Sequence, residues 1–292
     1  MPRHREMTAL TIAKYLELIA LGFGAGAFGT MIGAGGGFVL MPLLLILYPH
    51  ESPSVIASIT LAVVFFNALS GTEAYAVMGR VDFKSGLLFS SALIPSTILG
   101  TLTTAHIPRN FFDAIIALVM VAASIYLFSR HEMARKITET KQPHYILRHL
   151  VERDGTDDLY AYNPFLGIGL SFCLGFFSGM AGIGGGIFYV PVFAYVLNFP
   201  LQVAMATSQF SLAILGLTGT VSHIVSGTFV HGVHRTVVLA IGVVLGAQLG
   251  AHLSRFVKGR TIIRILALSL GLAGIRLLFM VFKSFRFPEG LW

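Results

Sequence analysis

Residues Gly33–Pro42 read G-A-G-G-G-F-V-L-M-P, and residues Gly182–Pro191 read G-I-G-G-G-I-F-Y-V-P. Glycine stands at positions one, three, four and five of both stretches, and proline at position ten. Consecutive glycines cost roughly 1 kcal/mol each relative to alanine inside a helix, and they open it to positive φ and close approach. Such a break at membrane depth is tolerated only where it is buried in protein or lines a cavity. The two stretches therefore read as a site, and the rest of the chain as its support.

Composition places that site in a bilayer. Of 292 residues, 55% are hydrophobic and 11% charged, whereas a soluble domain carries about 25% charged residues. Apolar regions run at roughly 10–48, 54–78, 86–105 and 110–128, then at roughly 164–198, 201–226, 236–256 and 261–282. The first and fifth exceed the ~20 residues one crossing needs, and each contains a triple glycine. They are expected to be broken helices, discontinuous or re-entrant. The formal net charge is +7, but the basic residues fall mostly between apolar runs. That is the positive-inside pattern of an inner-membrane protein, and no nucleic-acid partner is expected. The start, M-P-R-H-R-E, resembles a signal sequence, but Lys14 and Glu17 interrupt the following run, which reads as an uncleaved first helix. The single Cys173 excludes an intramolecular disulfide framework and a multi-cysteine metal site; no cofactor or metal is expected.

The halves align. The glycine motif repeats with Gly35 on Gly184 and Pro42 on Pro191; Ala57-Ser58 then falls on Ala206-Thr207, Gly71 on Gly219, and Ala105-His106 on Ala251-His252. The expected fold is an all-α polytopic membrane protein of two homologous repeats, about four spans each, with a Gly-broken helix starting each repeat. Residues 1–128 form the first repeat, 129–163 a hydrophilic cytoplasmic linker, and 164–292 the second repeat. The linker holds six basic and six acidic residues, and an amphipathic helix is expected around Tyr145–Val151. Two countings stay open. If each broken region crosses once, there are eight spans and both termini lie inside with the linker, which matches the charge asymmetry. If the two arms cross separately, there are ten helices and the halves are inverted. Either kind of repeat is usual in secondary transporters, whose sites lie near the midplane at the repeat interface.

Each G-x-G-G-G-x-x-x-x-P segment is followed by a short polar patch, Ala57-Ser58-Ile59-Thr60 in one half and Ala206-Thr207-Ser208-Gln209 in the other. In these features the chain resembles the TauE/SafE sulfite exporter family, also called the 4-toluene sulfonate uptake permease family, over nearly its whole length. The resemblance implies a secondary transporter of a small sulfur-containing anion, such as sulfite, sulfoacetate or another organosulfonate. Ile59 stands where the second copy has Ser208, so the halves need not contribute equally.

A helix N-terminus carries about half a positive charge and holds an anion without a basic side chain. The candidate substrate-binding residues are accordingly Gly35, Gly36, Gly37 and Phe38, with Gly184, Gly185, Gly186 and Ile187. The polar patches add Ser58 and Thr60, and Thr207, Ser208 and Gln209. The bland alternatives are close helix crossing for the glycines and back-bonding to a carbonyl one turn earlier for the hydroxyls. Asn67 is expected to hydrogen-bond between helices. Ionisable residues at depth are functional candidates: Glu73 and His223, both expected near the inner interface, are candidates for proton coupling. Arg276 is placed to neutralise an anion, to pair with Glu73 or to snorkel. Gly24 to Gly29 fits G-x-G-x-x-G but lacks a preceding strand and a following acid, so no nucleotide is expected. No Walker A, H-E-x-x-H or G-x-S-x-G sequence occurs, and the reading is not an enzyme. The expected partners are a small sulfur-containing anion, the lipid bilayer, a coupling proton and a second copy of the chain. The rivals are an anion channel using the same helix ends and a non-transporting scaffold subunit.

Overall fold

The computed structural model describes residues 12–48, 51–104, 109–129, 144–257 and 259–286. The first half contains α1 (Ile12–Met31), α2 (Gly37–Leu47), α3 (Pro53–Val77), α4 (Phe83–Thr104) and α5 (Arg109–Ser129). The second contains α6 (Pro164–Ala181), α7 (Gly186–Pro191), α8 (Leu201–Val225), α9 (Val233–Leu253) and α10 (Gly259–Arg286). A π turn (Val192–Val196) extends α7, following Pro191, which lacks an N–H to continue the regular ladder. Among the described residues, five helices (α3, α4, α6, α8 and α9) are long and apolar enough to cross a membrane. The protein is a polytopic helical membrane protein.

Local chemistry sets several helix starts. Ser52 caps α3, its hydroxyl accepting from Val55 N at 3.3 Å with Pro53 at the first helical position. Asn163 caps α6 in the same way, accepting from Phe165 N and Leu166 N ahead of Pro164. Inside the bundle, glycine allows backbone-to-backbone approach, the usual driver of association where lipid is as apolar as leucine.

The glycine contacts give the helix directions. Gly242, Gly246 and Gly250 of α9 meet Ile19, Phe23 and Ala27 of α1 in advancing order, so α1 and α9 run parallel. Gly167, Gly175 and Gly179 of α6 meet Phe89, Leu93 and Thr97 in the same fashion, so α4 and α6 are parallel too. Gly71 of α3 meets Gln209, whereas Gly219 of α8 meets Leu61, so α3 and α8 are antiparallel. Ile59 contacts Gly232, and Ser70 reaches Val244 O at 2.9 Å, which makes α3 parallel to α9 and hence to α1. Helix α6 starts beside the linker, which bonds Met78 O at the end of α3, and finishes with Gly182 against Ala57 near the start of α3. It therefore runs opposite to α3, and α1 runs opposite to α6.

Two expectations change. The eight-span orientation puts the N-terminus and the linker on one face, but these directions put the start of α1 and the linker at opposite ends. The second concerns the linker itself, so that the fold is not wholly α. Instead of an amphipathic helix around Tyr145–Val151, β1 (Ile146–Val151) pairs antiparallel with β2 (Asp157–Tyr162). Its side chains alternate, with Ile146, Arg148 and Leu150 facing the protein and Leu147, His149 and Val151 facing out. That is a period of two rather than 3.6. Gly155, at φ 89°, makes the turn.

Candidate functional site

The two glycine stretches interrupt helical structure in the same way. Gly35 and Gly36 lie at φ 74° and 69°, and Gly184 and Gly185 at 78° and 64°. L-residues pay roughly 1–2 kcal/mol there. The chain consequently doubles back: a Cβ on Gly36 would stand 2.8 Å from Ala25 O, and one on Gly185 would overlap Ser178 Oγ. Helix α2 thus begins beside the body of α1, and α7 beside that of α6. Gly37 and Gly186 are required for another reason. A Cβ on Gly37 would overlap Ile183 O, and one on Gly186 the backbone of Ala34. The two interruptions pack directly on each other, with the Val64 side chain against Gly35, Gly37 and Gly184.

Around this crossing the polar side chains sort into two groups. Ser58 donates to Val55 O at 2.7 Å and Thr60 to Ile56 O at 2.9 Å, the back-bonding alternative. Thr207 accepts from Asp82 N at 3.1 Å. Ser208 Oγ lies 2.6 Å from Gly33 O and 2.8 Å from Met205 O, tying α8 to the first interruption. Phe38 and Ile187 are buried in the apolar core. Gln209 differs: it is fully buried, and neither Oε1 nor Nε2 has a partner.

Gln209 does not stand alone. Asn67, also 0% exposed, accepts at Oδ1 from Thr30 Oγ1 at 3.3 Å, the expected helix–helix bond, but its Nδ2 is unpartnered. Gly71 touches both the Gln209 amide and Thr30, and Gly26 touches both Asn67 Oδ1 and the neighbourhood of Gly36. A polar cluster between α1, α3 and α8 therefore adjoins the first interruption, and Tyr75 closes it by donating to Thr30 O at 2.8 Å. At the second interruption, Ser178 Oγ and Tyr189 Oη are buried without partners on either side of Gly185. An unpaired buried polar group costs about 1–3 kcal/mol, and several such groups gather at this crossing. Sequence reasoning missed Thr30, Ser178 and Tyr189; an asparagine in an apolar helix was the one legible signal.

The charged candidates lie elsewhere. Since α3 and α8 are antiparallel, Glu73 and His223, each late in its helix, sit at opposite ends of the bundle rather than at one interface. Glu73 is exposed along an open apolar groove of about 390 Å³ between α3, the start of α4 and α8. His223 is 2% exposed, with Nδ1 2.9 Å from Thr228 Oγ1 and Nε2 unpartnered. Arg276 is exposed on α10, which packs on α5 and α2, so it does not meet Glu73.

Ion pairs lie towards both ends of the bundle. At the linker end, buried Arg80 pairs with Glu152 at 2.6 Å. Asp82 there accepts from Tyr160 Oη at 2.7 Å and from Ser85, with Arg148 Nε at 3.5 Å. Burial and the adjacent Asp82 carboxylate hold the Tyr160 hydroxyl protonated far above its usual range. At the other end, Arg235 pairs with Glu51 at 2.9 Å and lies 3.9 Å over the Tyr48 ring.

A polytopic bundle with a buried, uncharged polar cluster at two helix interruptions is the build of a membrane transporter, and comparison with known proteins agrees. The model of the sulfite exporter TauE/SafE family matches residues 18–277, and the chain belongs to that family of membrane transporters, which are not enzymes. A probable membrane transporter protein of Bacillus subtilis, YunE, is 33% identical over 272 residues, covering 91% of this chain and 98% of the relative. A probable membrane transporter protein of Methanocaldococcus jannaschii is 24% identical over 273 residues, covering 89% and 94%. A sulfite exporter TauE/SafE family protein of Arabidopsis thaliana is 30% identical over 114 residues, covering 39% of this chain and 26% of the relative. No solved structure matches the chain.

Proposed function

We propose that the protein is a secondary transporter of the cytoplasmic membrane that moves a small sulfur-containing anion, such as sulfite, sulfoacetate or another organosulfonate, by proton-coupled alternating access. The observation that carries this reading is the unpartnered Gln209 and Asn67 amides beside the crossed interruptions. Amide donors and the start of α2 suit an anion, and the family's printed name supplies sulfite as the first substrate class to try.

The arrangement also suits alternating access. Exchanging α1–α5 with α6–α10 maps the α1–α9 contact onto α6–α4 and the α3–α9 contact onto α8–α4, while α3–α8 and α5–α10 map onto themselves. With the matched glycine stretches and the opposite directions of α1 and α6, this supports a duplicated, inverted repeat of discontinuous helices around a central site. The Arg80–Glu152 and Arg235–Glu51 pairs act as latches at the two ends, opened in turn. Glu73 and His223, one towards each end, are the groups through which a proton would enter and leave.

The test is binding and counterflow with the purified full-length protein. A thermal shift with sulfite or an organosulfonate, absent with chloride and acetate at matched ionic strength, is the expected result. In proteoliposomes, uptake of labelled anion should accelerate with unlabelled anion on the far side. Selective binding without such acceleration points to a channel, and no shift with any sulfur anion removes the proposal.

A further inference from the structure

The charge of the site narrows its ligand. Among the described residues, the one buried lysine or arginine is Arg80, and it is committed to Glu152. Residues touching the interruptions, including Ala25, Val64, Met205, Ser208 and Leu212, are all uncharged, as is Asn67 beside Gly26. His223 is fourteen residues along α8 from Gln209, roughly 21 Å at the helical rise. The start of α2 contributes only about half a positive charge. Burying an unpaired charge is expensive, and the cost grows as the square of the charge, so a dianion meets about four times the penalty of a monoanion. The hydrogen-bonding inventory points the same way. Asn67 Nδ2 and Gln209 Nε2 donate, but Gln209 Oε1 only accepts. A fully deprotonated oxyanion has no hydrogen to give it.

We infer that the site takes its substrate only as a monoanion, hydrogen sulfite or a singly charged organosulfonate, and rejects the dianions sulfite and sulfate; this narrows the proposed substrate range, since sulfoacetate with its ionised carboxylate is a dianion too. This rests on the proposed reading of the site as an anion site. The unpaired Oε1 of Gln209 would receive the hydroxyl proton of hydrogen sulfite, or a donor on the organic substituent of a sulfonate. Transport of hydrogen sulfite would then carry a proton with the anion itself, without a titrating side chain at the site.

The protein's own titratable groups need a control. Tyr75 from α3 abuts the cluster, Tyr189 from α7 lies against Gly185 at the second interruption, and the Asp82 N–H donates to Thr207, two residues from Gln209. Further off are Glu73 on α3, His223 on α8, His234, Arg235 and His252 on α9, and Lys14, Tyr15 and Glu17 at the far end of α1. Titration of any of these would act on every bound anion, whereas titration of the ligand acts on sulfite alone.

The experiment measures binding of sulfite, 2-hydroxyethanesulfonate and sulfate to the purified full-length protein, under anaerobic conditions, at a series of pH values spanning the second ionisation of sulfurous acid near neutrality. Apparent affinity for total sulfite should fall about tenfold per pH unit above that ionisation, as the competent fraction falls. 2-Hydroxyethanesulfonate, a monoanion throughout with a hydroxyl to give Gln209 Oε1, should bind with unchanged affinity, and sulfate should not compete. Sulfite affinity that holds or rises with pH overturns the monoanion rule while leaving the anion site standing, as does sulfate binding as tight as 2-hydroxyethanesulfonate. Failure of all three to bind at every pH overturns the anion site and this inference with it.

Discussion

Replacing Gln209 by methionine should make the empty protein more stable, the reverse of what core substitutions usually do. The side chain is 0% exposed, and both polar atoms lack partners. Each unpaired buried group costs about 1–3 kcal/mol in the native state. Methionine is similar in length and volume, and volume-conserving swaps in a core usually cost less than about 1.5 kcal/mol. The net expectation for Gln209→Met is a gain of about 1–2 kcal/mol in the ligand-free protein. Thermal unfolding should move up by about 2–4 °C per kcal/mol, the scale for a domain of 150–250 residues. Binding should move the other way. Hydrogen bonds to a charged ligand contribute about 1.5–3 kcal/mol each, so losing Gln209 should weaken the anion at least about tenfold. The assay is a melting curve of wild type and variant with and without ligand, where ligand stabilisation at a hundred times the dissociation constant is about 2.7 kcal/mol. A variant that melts lower than wild type yet keeps the full ligand shift would falsify the reasoning, since Gln209 would then be a structural group rather than one held open for a ligand.

Three further outcomes follow from the same contacts. Glu152→Ala removes the close partner of Arg80, 4% exposed and already short of a partner at one nitrogen, and leaves it Asp154 at 3.9 Å, so it should cost about 3 kcal/mol in thermal unfolding; Arg80→Leu with Glu152→Leu should recover most of it. Gly36→Ala places a Cβ in a φ 69° residue against Ala25 O and should lower both stability and anion affinity. Gly24→Ala, where a Cβ meets nothing within 4 Å, should be neutral or stabilising by up to ~1 kcal/mol, and a reversed order would sink the argument. Gly246→Val, which drives a side chain into Phe23 O, should separate α1 from α9 and cost about 1–3 kcal/mol or block folding, read as loss of monodisperse protein on size exclusion.

Much of this architecture is legible in local sequence. Hydropathy finds the apolar helices because a bilayer demands long uncharged runs. The Gly33–Pro42 and Gly182–Pro191 stretches show where helices stop because glycine acts on its own φ and needs no neighbour to do so. The hairpin at Ile146–Tyr162 was not legible: Ile146-Leu147 and Leu150-Val151 stand as adjacent apolar pairs around Arg148-His149, a spacing without alternation that reads as well for a helix.

Which hydroxyls and amides stay free was not legible. Ser58 and Thr60 satisfy themselves on carbonyls of their own helix, and Ser208 is drawn to Gly33 O, a residue 175 positions away. Glu73 and His223 look alike in sequence, yet the antiparallel packing of α3 and α8 carries them to opposite ends. The chain by itself determined that it is a polytopic helical membrane protein, because burial in lipid is a property of each residue with its near neighbours. Only the tertiary structure decided that α1 and α6 run in opposite directions, that the two glycine stretches meet, and that Gln209 and the Nδ2 of Asn67 are left unpaired there. Direction, contact and hydrogen-bond satisfaction are set between segments far apart in the chain, where no local pattern can record them.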